Sequence, residues 1–250
     1  MASYIEGKRP VIEALRAKVP MRRITIGDYV RQDSLVKDIM RKAKQQGIKI
    51  VRASRREMDE HAAQTAHQGV IAQVAPYNYA GIGEIIDDAQ KQAQATNRRA
   101  LVVVCDHITD AGNLGAICRS ANAAGACGLV IPNKRSAHVE ASTYKTSAGA
   151  VAHMKLAQGS NISQGLMRLK KEGFWVCAAT EHAEDEVWDA NLKGKIALVL
   201  GNEQTGISRL TLEACDFLVK LPIAGAVESL NVAQAGTALM YEWVRQNRKS

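Results

Sequence analysis

Six consecutive apolar residues, Ala100-Leu101-Val102-Val103-Val104-Cys105, run directly into Asp106. A strand with one wet face alternates apolar and polar side chains. An unbroken run belongs to a strand covered on both faces, as in a parallel sheet wrapped by helices. Shorter runs of the same kind recur at residues 128–131, 174–179, 196–200 and 217–221, and residues 114–124 between the first two have helical spacing. This is a βαβ unit within an α/β fold, closed by a long helix over residues 229–246 that Ser229 starts.

The front of the chain reads as a separate, smaller α/β domain. Helical patterning covers residues 11–15 and 34–46, the second carried by Leu35, Ile39 and Ala43 and closed by Gly47. Strands are expected at residues 23–26, 48–51 and 69–74, the last ending before Pro76. Ser54 with Glu57 forms a capping-box pattern for a helix beginning at Arg55. The division expected is a first domain over 1–77, a linker and leading helix over 78–97 with that helix at 82–95, and a second domain over 98–250.

Charge separates the two halves. The whole chain carries a formal +8, and residues 1–78 hold 15 Lys and Arg against 8 Asp and Glu, so almost all of the excess lies in front. A positive field on the scale of a domain suits a polyanion, of which nucleic acid is the commonest, although a basic surface can also serve solubility alone.

Several classes are disfavoured. No uncharged apolar run approaches the ~20 residues of a membrane helix, and Met1-Ala2-Ser3-Tyr4-Ile5-Glu6 lacks a secretion signal's pattern. Cys105, Cys118, Cys127, Cys177 and Cys215 are scattered and odd in number, which indicates neither disulfides nor zinc but reduced thiols in a cytoplasmic protein. The six histidines do not cluster as metal ligands do. The GxGxxG fingerprint of nicotinamide-dependent dehydrogenases, the GxxxxGK[ST] phosphate loop, HExxH and the GxSxG elbow of hydrolases are all missing.

Three segments put polar or glycine residues where a strand ends, the edge at which parallel sheets bind ligands. In the first, residues 106–120, Asn113 is expected to cap a helix and Arg119 to project from a face of small residues. In the second, Gly201-Asn202-Glu203-Gln204-Thr205-Gly206, the glycines permit a tight loop, and a carboxylate at the end of a buried strand needs a partner or a task. In the third, residues 221–232, Leu221, Ile223 and Leu230 offer apolar walls and Ser229 and Asn231 polar groups. Taken singly, each segment is equally a capping loop or an ordinary turn.

Together, in this order, the segments resemble the three motifs of the SpoU (TrmH-like) RNA ribose methyltransferases, in NLGAICRSANAAG, LGNEQTG and LPIAGAVESLNVAQAG. In front, Gly7-Lys8-Arg9-Pro10-Val11-Ile12-Glu13-Ala14-Leu15 and His67-Gln68-Gly69-Val70 are similar to the substrate-binding domain of the subgroup that methylates a guanosine of large-subunit (23S) ribosomal RNA. The resemblance implies a small RNA-binding domain followed by a trefoil-knotted parallel-sheet (SPOUT) domain, S-adenosylmethionine as cofactor, a homodimer with catalytic sites near its interface, ribosomal RNA as partner, and no metal or membrane. It implies that Gly201, Leu221, Ile223 and Leu230 border the cofactor and that Asn113, Arg119, Glu203, Ser229 and Asn231 surround the reacting hydroxyl. The chain departs from the family at Ala111, where proline is usual, with a small loss of loop rigidity expected.

Free arginine stays protonated. Arg119 is therefore expected to bind RNA phosphate and stabilise charge on the 2′-oxygen, with Glu203 as the alternative proton acceptor. The competing functions are a transfer-RNA ribose methyltransferase of the same fold and a non-catalytic RNA-binding ribosome-assembly factor.

Overall fold

A computed structural model describes residues 3–62, 67–96 and 99–248. The first elements along the chain are β1 (Ser3–Glu6), α1 (Lys8–Arg16), β2 (Met21–Gly27), α2 (Ser34–Gln45), β3 (Lys49–Ala53), α3 (Arg55–His61) and β4 (Val70–Val74). There follow α4 (Ile82–Ala95), β5 (Ala100–Asp106), α5 (Ala111–Ala123), β6 (Gly128–Pro132), α6 (Ala141–Thr146), a 3-10 turn (Ala150–His153), β7 (Leu156–Gly159) and α7 (Ile162–Lys171). The last are β8 (Trp175–Ala179), β9 (Lys195–Gly201), α8 (Arg209–Glu213), β10 (Phe217–Val219) and α9 (Val232–Asn247).

These elements form two compact units. One comprises Met1–Asn78 with His138–His153, the other Tyr79–Ala137 with Met154–Ser250. The second domain expected over 98–250 is interrupted at 138–153, which belongs to the first unit. That stretch packs in the first unit because Tyr144 and Val151 bury there, with α6 against β1 and α1. Gly149, at φ +88°, lies so close to α1 that a Cβ would sit 2.4 Å from the Cβ of Glu13. The expected boundary at 97/98 falls on Asn97 and Arg98, outside the described residues.

In the first unit a four-stranded sheet has the order β1-β4-β2-β3, with β4 antiparallel to both neighbours and β2 parallel to β3. Strand β1 was not anticipated. The helices follow local chemistry. Asp33 caps α2 by accepting from Val36 N at 2.9 Å, and Lys8 Nζ, 2.7 Å away, holds its carboxyl below the usual range. Gly47 follows that helix at φ +67°, in the left-handed region that suits a helix end. Ser54 and Glu57 make the reciprocal capping box: Ser54 N donates to Glu57 Oε2 at 2.7 Å and Glu57 N to Ser54 Oγ at 3.4 Å.

The second unit is built on six parallel strands in the order β10-β8-β9-β5-β6-β7. Successive side chains of a strand point to opposite faces. Val102, Val104, Val176, Ala178, Ala197 and Val199 share one apolar cluster with Ile85 of α4 and Leu166 and Leu169 of α7. Their alternates Leu101, Val103, Leu198 and Leu200, no more than 2% exposed, face the other way. On that side α9 comes close: a Cβ at Gly236 would lie 2.7 Å from Leu200 Cδ1. Both faces are thus covered, which is why these strands read as unbroken apolar runs.

From β5 the chain winds outward through β6 to β7, whereas from β9 it goes the other way to β10. The two central strands, paired in register from Ala100↔Lys195 to Asp106↔Gly201, therefore straddle the point where the winding reverses. A crevice opens at the carboxyl ends of the strands at such a point. No described helix is long and apolar enough to cross a membrane.

Candidate active site

Polar side chains leaving β5 and β9 meet at that edge. Asp106, the last residue of β5, is 1% exposed. Its Oδ2 accepts from Ser208 N at 2.8 Å, and its Oδ1 lies 2.7 Å from His107 Nδ1. A buried carboxylate is tolerable only with such partners. His107 turns at φ +60°, and its carbonyl accepts from Asn202 Nδ2 at 2.7 Å. The Asn202 Oδ1 accepts in turn from Gln204 N and Thr205 N at 2.9 and 3.0 Å. Asp106 and Asn202 thereby fix the loop after β9 to the exit of β5.

That loop is closed by paired bonds between Asn202 and Gly206, each N to the other's O at 3.0 Å. A Cβ at Gly201 would meet Gly206 C at 2.6 Å and Ile207 N at 2.7 Å. The close approach that requires glycine is therefore to the loop's own backbone. Glu203, the carboxylate expected to need a partner or a task, is exposed, and the buried acid of the site is Asp106.

Asn113 is not the helix cap. Asp110 caps α5, its Oδ1 accepting from Asn113 N at 2.6 Å, because the helix starts at Ala111. The Asn113 side chain is thereby freed for longer-range bonds. Its Nδ2 donates to Glu203 Oε1 at 2.8 Å, and its Oδ1 accepts from Asn231 Nδ2 at 2.9 Å. Asn231, rather than Ser229, caps the last helix, its Oδ1 accepting from Ala233 N at 2.9 Å and Gln234 N at 3.4 Å. One hydrogen-bonded chain therefore joins all three segments.

A pocket of about 470 Å³ lies beside this chain, between the ends of β8, β9 and β10, the loop before α9, and α9 itself. Gly201, Glu203, Leu221, Ile223, Ser229, Leu230 and Asn231 all line it. Asn113 reaches it through its bonds to Glu203 and Asn231. Arg119 lies further along α5, exposed, and among the described residues its side chain makes no hydrogen bond or ion pair. The lining also includes Thr180, Glu181 and His182 after β8, which the sequence reading missed because no glycine or capping pattern marks that strand end. Three glutamates, Glu181, Glu203 and Glu228, face a single lysine, Lys220, so the pocket's balance is acidic. Its loop is apolar yet exposed, with Ile223 at 39%, Val227 at 63% and Leu230 at 43%.

All five cysteines are free. Burial pushes the Cys105 thiol up to about 12, helped by Glu203 and Asp106, so it is a neutral packing group. Among the described residues no group of three His, Cys, Asp or Glu side chains could hold a metal ion.

Comparison with known proteins places this site in context. Residues 100–241 match the SpoU rRNA Methylase family, and residues 4–80 match the RNA 2′-O ribose methyltransferase substrate-binding family. A Bacillus subtilis relative named as a TrmH family tRNA/rRNA methyltransferase, YacO, is 36% identical over 97% of this chain and 95% of its own length. The SpoU methyltransferase AviRb from Streptomyces viridochromogenes, solved with the cofactor AdoMet, superimposes with a TM-score of 0.78 at 23% identity, over 98% of this chain and 90% of its own. An AdoMet-bound rRNA methyltransferase from Sinorhizobium meliloti gives a TM-score of 0.80 at 22% identity, over 99% and 88%.

Proposed function

Because the chain belongs to the SpoU family of RNA 2′-O-methyltransferases, we propose that it binds S-adenosylmethionine in this pocket and methylates a guanosine ribose of large-subunit ribosomal RNA. The observation that carries the reading is the chain Glu203–Asn113–Asn231, which unites three distant segments beside one pocket. A basic front unit, to which the substrate-binding family matches, agrees with an RNA substrate. Ribosomal RNA is preferred over transfer RNA because a dedicated basic α/β domain suits a large structured RNA.

The pocket fits the cofactor. Its volume lies within the ~300–1,000 Å³ usual for small-molecule sites. Leu221, Ile223 and Leu230 give apolar walls for an adenine, and Gly201 lines the same pocket. The acidic lining suits a cation. When bound, the cofactor supplies an electrophilic methyl group on a sulfonium.

The chain's own residues handle the ribose and its proton. Asn113 engages Glu203 Oε1, which leaves Oε2 as the atom that would accept the 2′-hydroxyl proton, directly or through a water. Arg119, exposed and without a protein partner among the described residues, binds the RNA phosphate and stabilises negative charge on the 2′-oxygen. Ser229 and Asn231 border the hydroxyl. The exposed apolar Ile223, Val227 and Leu230, with Tyr241 of α9, support a homodimer with catalytic sites near the interface. The free cysteines agree with a cytoplasmic setting.

Rates measured against pH for Glu203→Gln and Arg119→Lys test these roles. Loss of about 100-fold or more in Glu203→Gln is expected of a general base, and an unchanged rate would remove that carboxylate from the step. Separate assays on ribosomal and transfer RNA decide the substrate.

A further inference from the structure

The turn after β2 builds an aromatic seat that the methyl-transfer site does not use. Val30 N donates to Gly27 O at 3.1 Å, closing the turn Gly27-Asp28-Tyr29-Val30. Gly27 N donates to Gly69 O at 2.9 Å, which brings a second glycine backbone under the turn. The Tyr29 ring folds back over these glycines. A Cβ at Gly27 would lie 2.6 Å from Tyr29 Cε1, and one at Gly69 would lie 3.5 Å from Tyr29 Cε2 and 2.1 Å from Val30 Cγ2. A side chain at Gly27 would displace the ring, whereas one at Gly69 would collide with Val30 and only touch the ring.

The ring so seated is not buried. Tyr29 is 46% exposed, among the few large apolar side chains of the first unit left in solvent. Arg55 stands over it, its guanidinium carbon 5.5 Å from the ring centroid, and Arg55 is itself exposed. Arg52, paired with Ile26 across β2 and β3, donates to Gly27 O at 3.3 Å and so adds a second cation at the same strand end. A core residue would be hidden, and a tyrosine serving only the turn would need neither guanidinium.

We infer that Tyr29 and Arg55 form a stacking platform for an unpaired RNA base, with Arg52 reaching the adjoining phosphate. The inference rests on the reading of the chain as an RNA methyltransferase and specifies what the front unit grips. Bases splayed from loops and bulges stack on aromatic rings and guanidinium planes, whereas bases inside a duplex offer no free face. The platform therefore selects single-stranded segments, with Arg52 and Arg55 offsetting the carboxylates of Asp28 and Asp59 near the ring.

The test uses the full chain and a fluorescein-labelled single-stranded oligoribonucleotide, alone and annealed to its complement. Tyr29→Ala is expected to weaken single-strand binding about ten-fold, to leave duplex binding unaltered, and to leave the salt dependence of affinity unchanged, since stacking releases no counterions. Tyr29→Trp restores single-strand binding, which separates loss of the ring from loss of the fold. Arg52→Ala lowers the salt slope by about one. Single-strand affinity within two-fold of the parent in Tyr29→Ala, or Tyr29→Trp binding as poorly as Tyr29→Ala, overturns the platform. Methyl transfer by the parent to transcribed large-subunit ribosomal RNA is read in parallel. Its absence counts against the proposed function alone, because the binding arm needs no catalysis.

Discussion

Asn231 Nδ2 donates to Asn113 Oδ1 at 2.9 Å, joining residues 118 positions apart in sequence. The direction of this bond is set from both ends. An ionised Glu203 can only accept, so it turns the Asn113 amide nitrogen toward itself and the oxygen toward Asn231. The free N–H groups of α9 can only donate, so they claim the Asn231 oxygen and leave its nitrogen for Asn113. A carboxylate at one end and a helix start at the other thus fix both amides in single orientations.

Asn113→Ala removes the middle of this chain. Little stability is at stake, because the site is open to water, but Glu203 loses its fixed position. Methyl transfer is expected to fall about 100-fold, the scale of a small misplacement of a catalytic group. Asn113→Asp sets two carboxylates against each other and is expected to fall further. Single-turnover rates with saturating cofactor measure both.

Asp106→Asn acts through stability. The substitution can keep an oxygen on Ser208 N only by turning its amide N–H toward His107 Nδ1, which must then be the unprotonated ring nitrogen, in a site that is 1% exposed. Replacing the charged acceptor of these buried bonds by a neutral amide costs about 1–3 kcal/mol. Urea denaturation of the parent and the variant reads this directly.

Gly201 and Gly206 close the same loop but should respond differently to alanine. At Gly201 the new methyl meets loop backbone at 2.6 and 2.7 Å, so the loop must shift, at a cost of about 1–3 kcal/mol and with loss of methyl transfer. At Gly206, φ is +67° and nothing lies within 4 Å of the new methyl, so only the left-handed conformation is penalised, by about 1–2 kcal/mol. Gly206→Ala is expected to retain the greater activity.

Ala111→Pro is expected to stabilise the protein. Ala111 is the first residue of α5, where proline's fixed φ suits the helix. Its N–H makes no hydrogen bond among the described residues. The preceding Asp110, at φ −85° and ψ 121°, has the extended backbone that a following proline requires. A gain of about 0.4–1 kcal/mol is expected, with activity kept. Differential scanning calorimetry measures it.

Much of the architecture was legible because local chemistry agreed with the final fold. The run ending at Cys105 marked a doubly covered strand, and Ser54 with Glu57 marked a helix start, since both signals are complete within a few residues. What was missed depends on distant partners. Residues 138–153 are short of long apolar side chains, and their membership of the first unit comes from Tyr144, Val151 and the approach of Gly149 to α1. At the site, the rule that a carboxylate ending a buried strand needs partners holds at Glu203, bonded to Asn113, and again at the more deeply buried Asp106, which no motif singles out. Asp110 and Asn113, three residues apart, both carry capping chemistry, and only the bonds to Glu203 and Asn231 distinguish them.

Nucleoside mass spectrometry of ribosomal RNA incubated with the protein and isotope-labelled S-adenosylmethionine tests the central claim most directly. Labelled 2′-O-methylguanosine from the large-subunit RNA, formed about 100-fold more slowly by Asn113→Ala, is the predicted result. Label on a base, or no label in any RNA while the folded protein binds the cofactor, would contradict it.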